Sequence, residues 1–198
     1  MPPGRATSAH QQWEVRSPDA AARASVVQVR DNAGLPVLFL DIDGPLLPFG
    51  GDPRPRPATP DPEWHFARLK RDAGRRLAGL PCVLVWATAW AEEANTEVAP
   101  RLGLPALPRV AWTIRGEEDQ RRIDQGVGLH WKTRTLVTWA AGRPFVWIDD
   151  ELTDTDREWV GEHHGDHALL HHVEADRGLD DADLDVVADW LRAVGSSR

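Results

Sequence analysis

The chain predicts an α/β fold, a parallel sheet covered by helices on both faces. Two observations carry this. Short all-apolar runs recur at 37–40, 82–86 and 145–148, and amphipathic or helix-capped segments lie between them. An unbroken apolar run of four or five residues marks a strand buried on both sides, and strands alternating with helices build a parallel sheet.

Taken in order, residues 1–33 are rich in Pro, Ser, Ala and Arg and hold no period for long. They read as an N-terminal extension, partly disordered or packed on the core, with a short strand or helix around 24–29. The strand at 37–40 follows. Residues 50–60, GGDPRPRPATP, read as a loop. Asp61 and Pro62 read as an N-cap with proline at the first helical position. They open one helix to about 78, with Phe66, Leu69, Ala73 and Leu77 on one face, stopped by Gly79 and Pro81.

The strand at 82–86 ends at Ala87 and Thr88. A helix from about 90 to 99 is stopped by Pro100, 109–114 reads as a strand, and 115–128 as a loop or small excursion. Residues 129–141 read as a helix, with Leu129, Leu136 and Trp139 or Ala140 on one face and Gly142 and Pro144 closing it. The strand at 145–148 runs into Asp149 and Asp150. A helix near 155–163, a strand near 168–173 and a helix near 181–194 complete the chain. The last helix carries Leu184, Val187, Ala188 and Leu191 at core spacing. Its acids cluster early, which suits the helix dipole.

The chain's 198 residues fit one domain, or one domain with an appendage. The net charge of −8 disfavours indiscriminate binding to nucleic acid or anionic lipid, though a local basic patch is compatible with it. The single cysteine, Cys82, leaves no disulfide framework and no cysteine zinc site. No apolar stretch approaches the ~18 residues of a membrane span. The N-terminus lacks the apolar segment of a signal peptide, so a cytoplasmic location is expected. Arginine dominates the bases, and the two lysines are Lys70 and Lys132.

In a parallel sheet, ligands sit beyond the carboxyl ends of the strands. Asp41, Asp43, Thr88, Asp149 and Asp150 all fall at such ends. Crowded carboxylates repel one another unless a cation joins them. Oxygen-only ligands with room for water favour Mg²⁺. Such a metal beside a crevice is a setting for phosphoryl chemistry. One aspartate then serves as nucleophile, and a second, two residues on and facing the same side, as general acid and base. Gly44 lets the backbone turn sharply. A hydroxyl such as Thr88 and an ammonium such as Lys132 would hold the transferring charge.

The set resembles the haloacid dehalogenase (HAD) superfamily of phosphatases and phosphotransferases. LFLDIDG is similar to its first motif, VLVWAT to its second, HWKTRTL to its third and FVWIDDELTD to its fourth, in the right order. WATAWAEEAN, HWKTR and WIDDE further resemble a bacterial branch whose HAD domain is also found attached to RNA-repair proteins. The resemblance implies a Rossmann-like HAD-like fold with 34–198 as the catalytic domain. It implies Asp41 as nucleophile, Asp43 as general acid/base, Thr88 bonded to a phosphoryl oxygen and Lys132 paired with Asp41 and the phosphate. Mg²⁺ would be bound by Asp41, the carbonyl of Asp43, and Asp150 with or without Asp149, with Asp154 a candidate outer ligand. Pro45 departs from the family's first motif by removing a backbone donor from the loop.

HAD enzymes usually select substrates with a cap after the first or second motif. The intervals 45–82 and 89–131 are too short for a large one, so little or no cap is expected. An open site admits a bulky phosphorylated substrate such as a nucleic-acid end, against which the net charge weighs unless Arg54, Arg56, Arg115, Arg121 and Arg122 line the crevice. A small-metabolite or nucleotide phosphatase and a catalytically idle protein-binding module are the alternatives.

Other residues read structurally. Thr88 is also placed to cap the following helix. His163, His167, His171 and His172 read as surface or strand-flank residues, because Gly165 breaks their helical spacing. Lys70 reads as surface and the tryptophans mostly as packing. Trp90, just past Thr88, either borders the site or packs in the core, with packing the preferred reading, and Glu92 and Asn95 are weak pocket-lining candidates.

Overall fold

Val37–Leu40 (β1) buries all four side chains, as a strand covered on both faces must. The structure is a computed structural model, and it describes residues 34–50, 61–112 and 118–196. β1 pairs in parallel with Val83–Trp86 (β2) on one side and Phe145–Asp149 (β3) on the other. β3 pairs in turn with Ala168–His172 (β4), giving the order β2-β1-β3-β4. The chain leaves β1 for β2 and then returns past β1 to β3. That reversal opens a crevice at the carboxyl ends of the central strands.

The period of two divides the core between the two faces. Leu38, Leu40, Val146 and Ile148 pack with Phe66, Leu77, Val98 and Leu191 on one side. Val37, Phe39, Phe145 and Trp147 pack with Leu136, Ala140 and Val160 on the other. The sheet is therefore sandwiched by helices, the architecture the sequence predicts.

Several predicted elements are corrected. The single helix expected over 61–78 is two: Pro62–His65 (α1), continued by a 3-10 turn at Phe66–Arg68, and Ala73–Ala78 (α2). Leu69 is extended, and the N–H of Lys70 donates to the carbonyl of Leu46 at 2.8 Å. A tether to the turn after β1 thus interrupts a sequence that would otherwise wind on. The predicted face is buried at Phe66, Leu69, Ala73 and Leu77, and Asp61 Oδ1 accepts from the N–H of Glu63 at 2.9 Å as the expected cap.

Pro100 does not stop the next helix. A π turn at Ala94–Val98 runs into Ala99–Leu102 (α3), where Pro100 sits in the first turn, and Gly103 at φ +69° ends it. The strand expected over 109–114 contracts to a parallel bridge between Arg109 and Trp86; residues 113 and 114 lie outside the described residues. Part of the expected loop at 115–128 is a helix, Glu118–Gly126 (α4). The remaining helices are Thr133–Ala140 (α5), Asp154–His164 (α6) and Asp181–Ser196 (α7).

The N-terminal extension with its short element lies outside the described residues, as does most of the 50–60 loop. Among the described residues, 45–82 holds α1, α2 and turns, and 89–131 holds α3 and α4, so neither interval carries a cap domain. No helix among them is long and apolar enough to cross a membrane.

Candidate active site

The β1–β3 pairing continues one residue past β1, because the N–H of Asp41 donates to the carbonyl of Ile148 at 3.1 Å. This fixes the Asp41 side chain at the carboxyl edge between the two strands. Its Oδ1 accepts from the N–H of Ile42 at 2.8 Å, and its Oδ2 from Lys132 Nζ at 2.5 Å. The same ammonium donates to Asp149 Oδ2 at 2.8 Å. Asp149 has no exposed surface; its Oδ2 also accepts from the indole N–H of Trp147 at 3.0 Å, and its Oδ1 from the N–H of Glu151 at 3.0 Å. Asp149 therefore holds Lys132 in place, whereas Asp150 is half-buried with its carboxyl against Gly44. Gly44 has φ +83°, and a Cβ there would lie 2.4 Å from Asp150 Cγ, so only glycine lets the turn come this close.

Carboxylate oxygens of Asp41, Asp149 and Asp150 lie within 4.8 Å of one another. Burial pushes Asp41 up to about 7, with the charge of Asp149 adding to it and that of Lys132 opposing it. Burial and then the charge of Asp149 push Asp150 up to about 6. At Lys132 burial disfavours the ammonium, but the charges and hydrogen bonds of Asp41 and Asp149 outweigh it and raise its pKa. Three carboxylates facing one ammonium leave a surplus of negative charge, which a hard divalent cation bound through oxygen would balance. The donor set fits Mg²⁺.

This crowding has a signed consequence for stability. A carboxyl held above its ordinary 3.8 favours folding below that pH and loses the contribution as pH climbs through the folded value, about 7 for Asp41. In the presence of a chelator, the melting temperature should therefore fall between pH 4.5 and 7.5. The decline should be several degrees shallower in Asp41→Asn, at about 2–4 °C per kcal/mol for a chain of this size. Mg²⁺ should restore the wild type at pH 7.5 and the variant much less. Equal slopes in thermal melts of the two proteins would contradict this account.

Asp43 lies on the exposed side of the turn that Gly44 makes possible, and its Oδ2 accepts from the indole N–H of Trp90 at 2.8 Å. Thr88 is buried just beyond β2, which the N–H of Ala87 ties to the carbonyl of Leu40 at 2.9 Å. Its Oγ1 accepts from the N–H of Trp90 at 3.4 Å, a turn contact rather than the expected helix cap, because residues 89–92 are turns and the π turn starts only at Ala94. Its carbonyl accepts from the indole of Trp112 at 2.8 Å. Trp90 thus joins Thr88 to Asp43. Both readings of Trp90 hold: it packs on the core and also bonds Asp43 in the site. Asn95 instead bonds Trp86 and the backbone of Leu107, and Glu92 pairs with Arg109 at the surface. Pro45 is buried, and its carbonyl accepts from the N–H of Leu179 at 2.8 Å.

Asp154 is corrected as an outer ligand: its side chain is 99% exposed, with Arg157 as its ion-pair partner. The acid that matters is Asp156, which is fully buried. Its Oδ1 accepts from the N–H of His130 at 2.9 Å and the hydroxyl of Thr133 at 2.5 Å. Its Oδ2 accepts from the N–H and hydroxyl of Thr153 at 2.9 and 2.7 Å. Asp156 therefore clamps the segment carrying Lys132 onto the start of α6. The clamp explains why α5 begins at Thr133 rather than at 129: the N–H of Lys132 donates to His130 Nδ1 at 3.2 Å. That bond makes His130 Nε2 the protonated nitrogen, donating to Glu151 at 3.1 Å. The signal was present in the sequence as T-x-x-D, a capping box.

The other histidines behave as expected. His163 stacks on Trp159 at 3.8 Å, His171 bonds Asp183, and His172 faces Glu174. Of the arginines expected to line the crevice, Arg122 is exposed on α4; Arg54, Arg56, Arg115 and the side chain of Arg121 lie outside the described residues.

The family profile described as "HAD domain in Swiss Army Knife RNA repair proteins" matches residues 37–184. That span runs from the first residue of β1 into α7 and contains every site residue above. No curated protein and no solved structure matches the chain.

Proposed function

We propose that this chain, which belongs to the family of HAD domains in Swiss Army Knife RNA repair proteins, is a Mg²⁺-dependent phosphomonoester hydrolase working through an aspartyl-phosphate, with a polynucleotide end or another bulky phosphorylated group as its substrate. The observation that carries the reading is Lys132 Nζ set between Asp41 at 2.5 Å and Asp149 at 2.8 Å, with Asp150 in the same carboxylate cluster. The lack of a cap domain among the described residues supports a bulky substrate.

In this reading an Asp41 oxygen attacks phosphorus. A new O–P bond forms as the bond to the leaving oxygen breaks, and Asp43 gives that oxygen its proton. Asp43 then removes a proton from water, which attacks the aspartyl-phosphate and releases Asp41 and inorganic phosphate. Lys132 and Thr88 hold the phosphoryl oxygens, and Asp149 and Asp156 keep Lys132 aimed. Asp41, Asp150 and the carbonyl of Asp43 would hold Mg²⁺, with Asp149 behind them. When bound, the ion supplies positive charge opposite the phosphoryl oxygens and relieves the carboxylate repulsion.

A panel of oligonucleotides bearing 3′- or 5′-phosphates, mononucleotides, sugar phosphates and phosphopeptides tests this. Release of inorganic phosphate that requires Mg²⁺ and is fastest on the oligonucleotides is expected. Preference for a sugar phosphate would move the assignment to a small-metabolite enzyme. Absence of release across the panel would make the domain a binding module.

A further inference from the structure

A cavity of about 460 Å³ opens beside Asp43, walled by Leu47, Pro48, Phe49, Trp64, His65 and Arg68. Sites for small organic ligands occupy roughly 300–1,000 Å³. Three of its eight lining residues, Phe49, Trp64 and His65, are aromatic, and Asp43 and Gly50 complete the lining. Phe49 is 52% exposed although it is a large apolar residue. It is held in that position: its N–H donates to the carbonyl of Ala175 at 2.9 Å. Arg68 braces the neighbouring backbone by donating to the carbonyls of Gly50 at 2.8 Å and Asp176 at 2.5 Å.

The aromatic surface continues to the catalytic acid. The ring of His65 stacks on Trp90, with centroids 5.6 Å apart and planes 26° from parallel. The indole of Trp90 is the group that bonds Asp43. If phosphorus meets Asp41 and the leaving oxygen is protonated by Asp43, the leaving group extends past Asp43 into this cavity. A sugar or polyol there would require several free hydrogen-bonding groups. Polar groups at the walls are few: one Asp43 oxygen already accepts from Trp90, Arg68 already serves two carbonyls, and Leu47, Pro48 and Phe49 offer only carbon. A flat heteroaromatic ring matches such walls, because every nucleobase has a π face to stack and needs no particular donor pattern.

We infer that this cavity is a base-stacking subsite, taking the nucleobase of the nucleoside whose phosphate is removed, with Phe49 and His65 as its stacking surfaces. The assignment of the nucleoside to the leaving-group side rests on the phosphatase reading above. The test titrates adenosine 5′-monophosphate, adenosine 3′-monophosphate and ribose 5-phosphate into full-length Asp41→Asn protein, and follows wild-type turnover of the same compounds. At least one adenosine monophosphate should bind roughly 5- to 100-fold more tightly than ribose 5-phosphate, the range that stacking on one aromatic side chain confers. Phe49→Ala and His65→Ala, both at exposed positions, should each remove most of that margin. Equal affinities for the three ligands, or a margin that survives both substitutions, would overturn the subsite. Hydrolysis without a margin would defeat the subsite alone. A margin with no wild-type turnover would uphold base binding in the cavity and defeat the phosphatase reading.

Discussion

Asp41→Asn should lower hydrolysis of every phosphomonoester by roughly 10³-fold or more while the protein stays folded. The amide is not a nucleophile and forms no acyl phosphate. The change is isosteric, so packing around a residue only 7% exposed is kept. Two electrostatic effects oppose each other. The ion pair to Lys132 is lost, but so is the repulsion from Asp149 and the burial of a charge, the two influences that push Asp41 up to about 7. Lys132 keeps Asp149 as its partner at 2.8 Å, so no buried ammonium is orphaned. The melting temperature should stay within a few degrees of wild type at pH 7.5, and circular dichroism should be unchanged. A folded variant retaining a tenth or more of the wild-type rate on an aryl phosphate would remove Asp41 from the role of nucleophile.

The parts of this site that were legible in the sequence are those where one residue's chemistry determines its place. The run Val37–Leu40 is buried on both faces, so the acids that follow it must emerge at the sheet edge, and the same logic holds for β3 and Asp149. What the sequence hid depends on partners remote along the chain. The break at Leu69 exists because Lys70 bonds Leu46, a contact no helical period encodes. Pro100 is tolerated because a π turn precedes it. The position of Trp90 just past Thr88 placed it near the site, but its indole partner, Asp43, lies 47 positions away and no spacing encodes that bond. Asp154 drew attention by closeness to the IDD motif, whereas Asp156 is buried by the fold and joins α6 to the His130–Thr133 segment. Linear spacing located the acids that cluster at the sheet edge, and three-dimensional packing chose the residues that hold Lys132 against them.

Lys132→Met should cost both stability and catalysis, and pH separates the two losses. The ammonium is 3% exposed and is the ion-pair partner of two carboxylates, Asp41 and Asp149. Methionine is unbranched and flexible, so it fills the slot with little void and the experiment reads charge rather than volume. Removing one partner of a buried pair costs about 3–5 kcal/mol, equivalent to roughly 6–20 °C for a chain of this size. That loss should appear at pH 7.5 in a chelator, where the buried carboxyl pair loses its counter-charge. At pH 5 it should shrink, because Asp41, already held at about 7 with the lysine present, is mostly protonated there, and losing the lysine raises it further. Activity should not follow stability: with no ammonium to hold the phosphoryl oxygens, the rate should stay roughly 10²–10³-fold down at every pH where the variant is folded. If Lys132 merely held the fold together, conditions that restore the melting temperature would restore turnover as well. Recovery of the rate at pH 5, relative to wild type at the same pH, would thus reduce Lys132 to a structural counter-ion.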